Sequence, residues 1–261
     1  MEYRELGCTG LHVSLLGLGT VKFGRNEGLP YPVSASLPSD RDLVRLLAHA
    51  HDLGINLLDT APAYGSSEER LGELLVRHRD LWVISTKVGE SFERGTSTFD
   101  FSPDHTRASV LRSLKRLRTD RLDVVLVHSD GDDLAIIERH GTLDALAQLK
   151  REGLVRAFGM SHKTVSGGVA AAERCDVVMA TLSESAHEEL DVVAAARARR
   201  CGVLVKKPLD SGRAATDPGR LVSTLRYLKQ IDGVSSIVVG TTDPGHLRAN
   251  AAALENVDAD E

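Results

Sequence analysis

Eight short segments rich in Val, Ile and Leu recur along the chain, and a helix-period pattern follows almost every one. That alternation constrains the fold more than any other feature. The segments are VSLLGLG (13–19), INLLDT (55–60), LWVISTK (81–87), LDVVLVH (122–128), LVRAFGMS (154–161), DVVMATLS (176–183), GVLVKKP (202–208) and SSIVVGT (235–241). Most are continuous rather than alternating, as expected of strands covered on both faces. Between them, SDRDLVRLLAHAHDLG places Leu43, Leu46, Leu47, Ala50 and Leu53 on one face, with Ser39 or Asp40 as N-cap and Gly54 as a stop. SPDHTRASVLRSLKRLR starts with Ser102 as cap and Pro103 at the first helical position. The Gly167–Gly168 pair weakens the helical pattern after the fifth strand. Strand–helix units of roughly 30 residues, repeated over 261 residues, predict a (β/α)8 TIM barrel forming a single domain, 1–261. A doubly wound open sheet is the alternative.

Ahead of the first strand, EYRELGCTGLHVS predicts a short hairpin turning at Thr9–Gly10, placed to close the bottom of the barrel. Two long polar insertions follow the first and third strands, FGRNEGLPYPVSASLPSD and GESFERGTSTFDFSPD. The first is rich in Gly, Pro and Ser and predicts a rim loop.

Composition narrows the function. The chain is 42% apolar and 26% charged, which supports a packed core, and its net charge is −5. No Lys/Arg stripe is present, so nucleic acid is not an expected partner. No apolar run is long enough for a bilayer, and the N-terminal residues lack the apolar core of a secretory signal. Three scattered cysteines (Cys8, Cys175, Cys201) and no CxxC or HExxH pattern argue against a disulfide framework and against a metal. Cys175 and Cys201 read as small packing residues. A cytoplasmic location is the expectation.

In a barrel of this kind, chemistry sits at the carboxyl ends of the strands. The second strand ends at Asp59, the third at Lys87 and the fourth at His128, while Tyr64 follows Asp59 by five residues. Adjacent strands lie about 4.8 Å apart, so these ends converge. A carboxylate beside a lysine keeps it protonated, and the ammonium favours phenolate and lowers a neighbouring tyrosine's pKa. Such a tyrosine can exchange a proton with a developing alkoxide. A neutral histidine can donate to the carbonyl oxygen. Taken singly, each residue reads more readily as a bland feature: the Asp as a cap or turn residue, the Lys as a solvated rim cation, the His as a satisfied rim residue. The ordered set points to proton transfer onto a carbonyl that receives a hydride. A Schiff-base role for Lys87 is the less favoured chemistry, because the carboxylate would keep the amine protonated.

These residues carry a family resemblance. NLLDTAPAYGSSEERLG resembles the signature of the aldo-keto reductases, matching at Asp59, Tyr64, Gly65, Ser67, Glu68 and Gly72. VISTKVG and LDVVLVHSDG resemble the family's lysine and histidine strands, and EGLVRAFGMSHKT and SSIVVGTTDPGHLRANAAALE its fifth-strand and cofactor-clamp segments. The resemblance covers nearly the whole chain. It implies a carbonyl reductase of small aldehydes or ketones using NADP(H), with NAD(H) as the other possibility. It further implies Tyr64 as general acid/base, Asp59 and Lys87 as its tuning pair, and His128 as the carbonyl-orienting group.

For the cofactor, the resemblance implies contacts from Gly19, Thr20, Val21 and Asp59. Ser161, His162 and Lys206 follow at the nicotinamide, and Leu209 and Ser211 at the pyrophosphate. Gly240, Thr241, Thr242, His246 and Asn250 fall at the adenosine, where the last helix's N-terminus favours an anion. The chain departs from the family at His162, Met179 and Lys206, where asparagine, glutamine and an aromatic residue are usual, and basic residues are sparse around His246. Lys206–Lys207 is equally compatible with binding pyrophosphate and with a solvated strand end. Phe23 and Phe92 follow the first and third strands and are expected to line a substrate pocket, with loop anchoring as the alternative. The glycines of GLGTVKFG do not have the dinucleotide-fingerprint spacing. The departures leave a second functional reading open: a cofactor-binding or regulatory barrel with little turnover.

Overall fold

The computed structural model describes residues 1–29, 36–183, 187–208 and 218–255. The chain begins with an antiparallel hairpin, β1 (Tyr3–Glu5) and β2 (His12–Ser14), then β3 (Leu16–Gly19), α1 (Val21–Gly24) and α2 (Asp40–Asp52). Next come β4 (Leu57–Asp59), α3 (Ser67–Leu74), β5 (Val83–Val88), a second hairpin β6 (Glu90–Glu93) and β7 (Thr96–Phe99), and α4 (Pro103–Arg116). The remainder runs β8 (Leu122–His128), α5 (Asp133–Glu138), α6 (Thr142–Arg151), β9 (Val155–Ser161), α7 (Val165–Arg174) and β10 (Val177–Thr181). It closes with α8 (Leu190–Arg199), β11 (Gly202–Lys206), α9 (Pro218–Gln230), β12 (Val234–Gly240) and α10 (Pro244–Glu255).

Strands β3, β4, β5, β8, β9, β10, β11 and β12 form a closed barrel in which neighbours are parallel. Each corresponds to one of the eight apolar segments, so the (β/α)8 reading holds and the open sheet does not. The continuity of those segments has a direct cause. One side of each strand packs against helices in the main core, and the other side of every strand except β3 joins a second cluster inside the barrel, with Leu57, Val124, Leu126, Val177, Met179 and Leu204 among its members. The N-terminal hairpin lies at that inner cluster, to which it adds Leu6, Leu11 and Val13, each at most 3% exposed. It thereby closes the bottom of the barrel and leaves the other end for function.

The expected caps form: Ser39 accepts from the Asp42 amide and Ser102 from the His105 amide. Helix α7 forms despite its glycine pair, because the packing requires it. A Cβ at Gly167 would lie 2.1 Å from the Asp133 Cβ, and one at Gly168 would lie 2.6 Å from His162 Nε2. The second polar insertion is an ordered hairpin, β6–β7, whose first residue is Glu90.

Candidate active site

The signature segment between β4 and α3 is held by hydrogen bonds within its own neighbourhood. Gly65 adopts φ +60° and lies so close to Gly24 that a Cβ would approach its carbonyl oxygen to 2.1 Å. Gly72 is equally tight against the Arg116 carbonyl, at 2.0 Å. Ser67 donates to the Thr20 carbonyl and accepts from Thr60 Oγ1, both at 3.0 Å. The fully buried Glu68 accepts from Thr86 Oγ1 at 2.7 Å and pairs with Arg116. These bonds tie β3, β4, β5, α3 and α4 together around Tyr64, which leaves the phenol little freedom.

At the mouth, strand stagger decides who meets whom. Asp59 lies opposite Gly19 on one side and Ser85 on the other, so Lys87 sits two residues farther along β5 and its side chain meets the carboxylate. Lys87 Nζ donates to both Asp59 oxygens at 2.7 and 2.8 Å and to the Thr60 carbonyl at 2.8 Å. The side chains of Lys87 and Asp59 are only 2% and 6% exposed. Burial alone would lower the ammonium's pKa, but Asp59 and Tyr64 outweigh it and the pKa is raised. Lys87 Nζ is 4.9 Å from the centre of the Tyr64 ring, and that ring meets His128 edge-on at 6.2 Å. Asp59, Tyr64, Lys87 and His128 therefore occupy one small volume.

Two expectations about this group need correction. The Tyr64 pKa is raised rather than lowered: burial pushes it up, and Lys87 only partly offsets that push. The phenol is thus protonated around neutral pH. His128 also has a partner that the motif reading missed, since its Nδ1 lies 2.6 Å from Glu90 Oε2 on β6. Glu90 belongs to the polar insertion, and its only signal in the sequence was its place three residues after Lys87.

The opposite side of the mouth is occupied by the protein's own contacts. Lys206 Nζ donates to Ser161 Oγ at 2.8 Å and to the His162 carbonyl at 2.6 Å. Burial, and then the neighbouring Lys207, push the Lys206 ammonium down to about 7. The His162 ring is withdrawn from the mouth: its side chain is fully buried, beside Gly168 of α7, and Nε2 lies 2.7 Å from Glu189 Oε2. Met179 is 2% exposed within the apolar filling of the barrel. Gly19 and Gly240 are partners at the rim of β3 and β12, and a Cβ at Gly240 would meet only the Gly19 oxygen, at 3.8 Å. That strip of bare backbone lies beside the partly exposed Val21. Thr20, completely buried, bonds to Asp59 O and Ser67 and offers no side chain there.

At the last helix, the N-terminus is already satisfied by a carboxylate of the chain. Asp243 Oδ1 accepts from the Gly245 amide at 2.6 Å and the His246 amide at 3.1 Å, which lower its pKa. Thr241 Oγ1 accepts from the Asp243 amide at 3.0 Å. Thr242 and His246 are exposed, and Asn250 is 5% exposed. Leu209 and Ser211 lie outside the described residues.

The two aromatic pocket residues differ in fate. Phe23 is fully buried in the main core with Leu43, Leu46 and Leu71, so it anchors the fold and cannot line a pocket. Phe92 stands on the hairpin at the rim with the Arg25 guanidinium 3.3 Å from its ring centre. Among the described residues no cluster of His, Cys, Asp or Glu could hold a metal ion, and no helix is long and apolar enough to cross a membrane.

Comparison with known proteins finds relatives that cover most of the chain. A crystal structure of an aldo-keto reductase from Pseudomonas aeruginosa is 51% identical, superposes with a TM-score of 0.88, and is matched over 97% of this chain and 94% of its own. L-galactose dehydrogenase of Arabidopsis thaliana is 28% identical over 99% of this chain and 90% of its own length. The NADH-specific methylglyoxal reductase of Escherichia coli is 33% identical over 62% of this chain and 52% of its length. Residues 15–220 match the model of the aldo/keto reductase family, and the chain belongs to that family of oxidoreductases.

Proposed function

We propose that the protein reduces a small aldehyde or ketone to the alcohol, with Tyr64 as the proton donor. The observation that carries this reading is the buried Lys87–Asp59 pair beside a phenol that is itself protonated. A nicotinamide cofactor, when bound, supplies the hydride. Tyr64 gives its proton to the carbonyl oxygen as negative charge develops there. Lys87, held by Asp59, stabilises the phenolate left behind, which then regains its proton from solvent. His128 faces the same oxygen and orients it. The experiment is loss of reduced-cofactor absorbance with a reactive aromatic aldehyde, wild type against Tyr64→Phe; equal rates would overturn the assignment.

We further propose that the adenosine end takes NAD(H) in preference to NADP(H). A 2′-phosphate near α10 would meet the Asp243 carboxylate, already bonded to the amides that would otherwise bind the anion. The position expected to carry the basic partner is the exposed His246. The E. coli relative is named as NADH-specific, which is in line with this preference. Calorimetric titration with NADH and NADPH tests it, and tighter binding of NADPH would overturn it.

One observation favours the second reading, a cofactor-binding barrel with little turnover. Lys206 engages Ser161 Oγ, and the His162 ring is buried away from the mouth. Tight cofactor binding without turnover across a broad aldehyde panel would select that reading.

A further inference from the structure

We infer that Glu90 is a positioning residue that fixes which ring nitrogen of His128 carries the proton, so that His128 can donate to a carbonyl only as the imidazolium. The inference rests on the reading of His128 as the group that faces the substrate carbonyl.

The argument begins with the contact. His128 Nδ1 is 2.6 Å from Glu90 Oε2, with the two side chains 22% and 11% exposed. The approach is not a well-aligned hydrogen bond. Even so, two lone pairs at that distance would repel strongly, so the proton resides on Nδ1. Glu90 is itself fixed, because Ser97 Oγ on β7 donates to its other oxygen, Oε1, at 2.5 Å. Burial raises its pKa, but His128, Ser97 and Arg25 win and hold it at about 2, so it is an anion at any working pH. The rim hairpin thereby delivers a permanent carboxylate to the far side of the imidazole.

The consequence follows from the ring's inventory. A neutral imidazole has one N–H, and here Glu90 claims it. Nε2 is then an acceptor, suited to an alcohol's hydroxyl rather than to a carbonyl oxygen. For Nε2 to donate, a second proton must bind. The charged groups facing His128 are Lys87 on β5, Glu90 on β6 and Lys206 on β11, with Tyr64 beside it. Burial and the two lysines oppose the imidazolium, and Glu90 favours it; the net direction is a lowered pKa. Reduction therefore weakens as pH rises through the His128 pKa, whereas alcohol oxidation retains a neutral acceptor above it. The carboxylate thus biases the direction in which the mouth works best, by way of one proton.

Ring-nitrogen NMR of the whole protein tests the tautomer directly, with the His128 signal identified by its loss in His128→Asn. The expected result is protonated Nδ1 in the neutral ring, and in Glu90→Gln a titration moved about one unit toward acid with Nε2–H gaining population. The kcat/KM for aldehyde reduction should show its high-pH limb moved by the same amount in Glu90→Gln, with KM carrying most of the change. A neutral wild-type ring protonated at Nε2, or an unshifted titration in the variant, overturns the inference. Spectra as expected from a protein that reduces no aldehyde with either cofactor would leave the tautomer assignment standing and sink the reductase reading instead.

Discussion

The two sides of the barrel mouth are organised in opposite ways. On the β4–β5–β8 side, the polar groups complete one another: Lys87 with Asp59 and Thr60, Glu90 with His128 and Ser97. On the β9–β12 side, groups expected to meet a cofactor are engaged elsewhere. Lys206 holds Ser161, His162 is buried against Glu189, and Asp243 satisfies the α10 amides. The difference teaches that chemistry and cofactor capture are built separately. Preorganised charge serves proton transfer, where reorganisation during reaction costs rate. A cofactor must enter and leave, so contacts on its side have to be exchangeable.

The largest effect should come from breaking the preorganised side. Tyr64→Phe keeps the ring and removes the proton, and kcat should fall by a factor of ~10²–10⁴, measured in single-turnover assays. Next, Lys87→Met leaves the buried Asp59 carboxylate unpaired and should cost about 3–5 kcal/mol of stability in urea denaturation. An unchanged transition midpoint would show that the pair is more solvated than its 2.7 Å contact implies. Phe23→Ala should cost a similar ~3–5 kcal/mol, by cavity formation. The aldehyde KM of the folded variant should not change, whereas a pocket role would raise it.

The exchangeable side predicts smaller, pH-dependent effects. Lys206, at about 7, is charged at pH 6 and neutral at pH 8. Near a cationic oxidised nicotinamide the ammonium repels, so NAD⁺ should bind more tightly as pH rises, by up to about tenfold per unit across the titration. NADH carries no ring charge and should respond less, and Lys206→Met should abolish the contrast. Smallest of all, Asp243→Ser removes a charge near the proposed 2′-phosphate position while keeping a capping oxygen. NADPH affinity should improve relative to NADH by a few-fold, in line with about 0.3–1 kcal/mol for a charge at a helix terminus. No gain would place the adenosine elsewhere.

Much of the first side was legible in the sequence because its information is local. Asp59, Tyr64, Lys87 and His128 each sit at or just beyond an apolar run, and strand order alone brings three neighbouring strand ends together. Glu90 was not legible, since a polar insertion gives no sign that it will fold back as a hairpin onto the histidine. His162 was misjudged for a related reason. Its neighbour Ser161 is a partner of His128 across the β8–β9 ladder, but residues past a strand end follow no fixed alternation. Phe23 failed similarly: following a strand does not say whether a ring turns inward or out.

The sequence by itself determined the barrel, its closed lower end and the catalytic candidates, because hydrophobic periodicity and strand order are properties of the chain read locally. Only the tertiary structure decided the direction in which the Tyr64 pKa moves, the carboxylate that meets His128 and the side chains that engage one another across the mouth. Those depend on desolvation and on charges brought within a few ångströms from distant segments, and neither quantity exists until the barrel has closed.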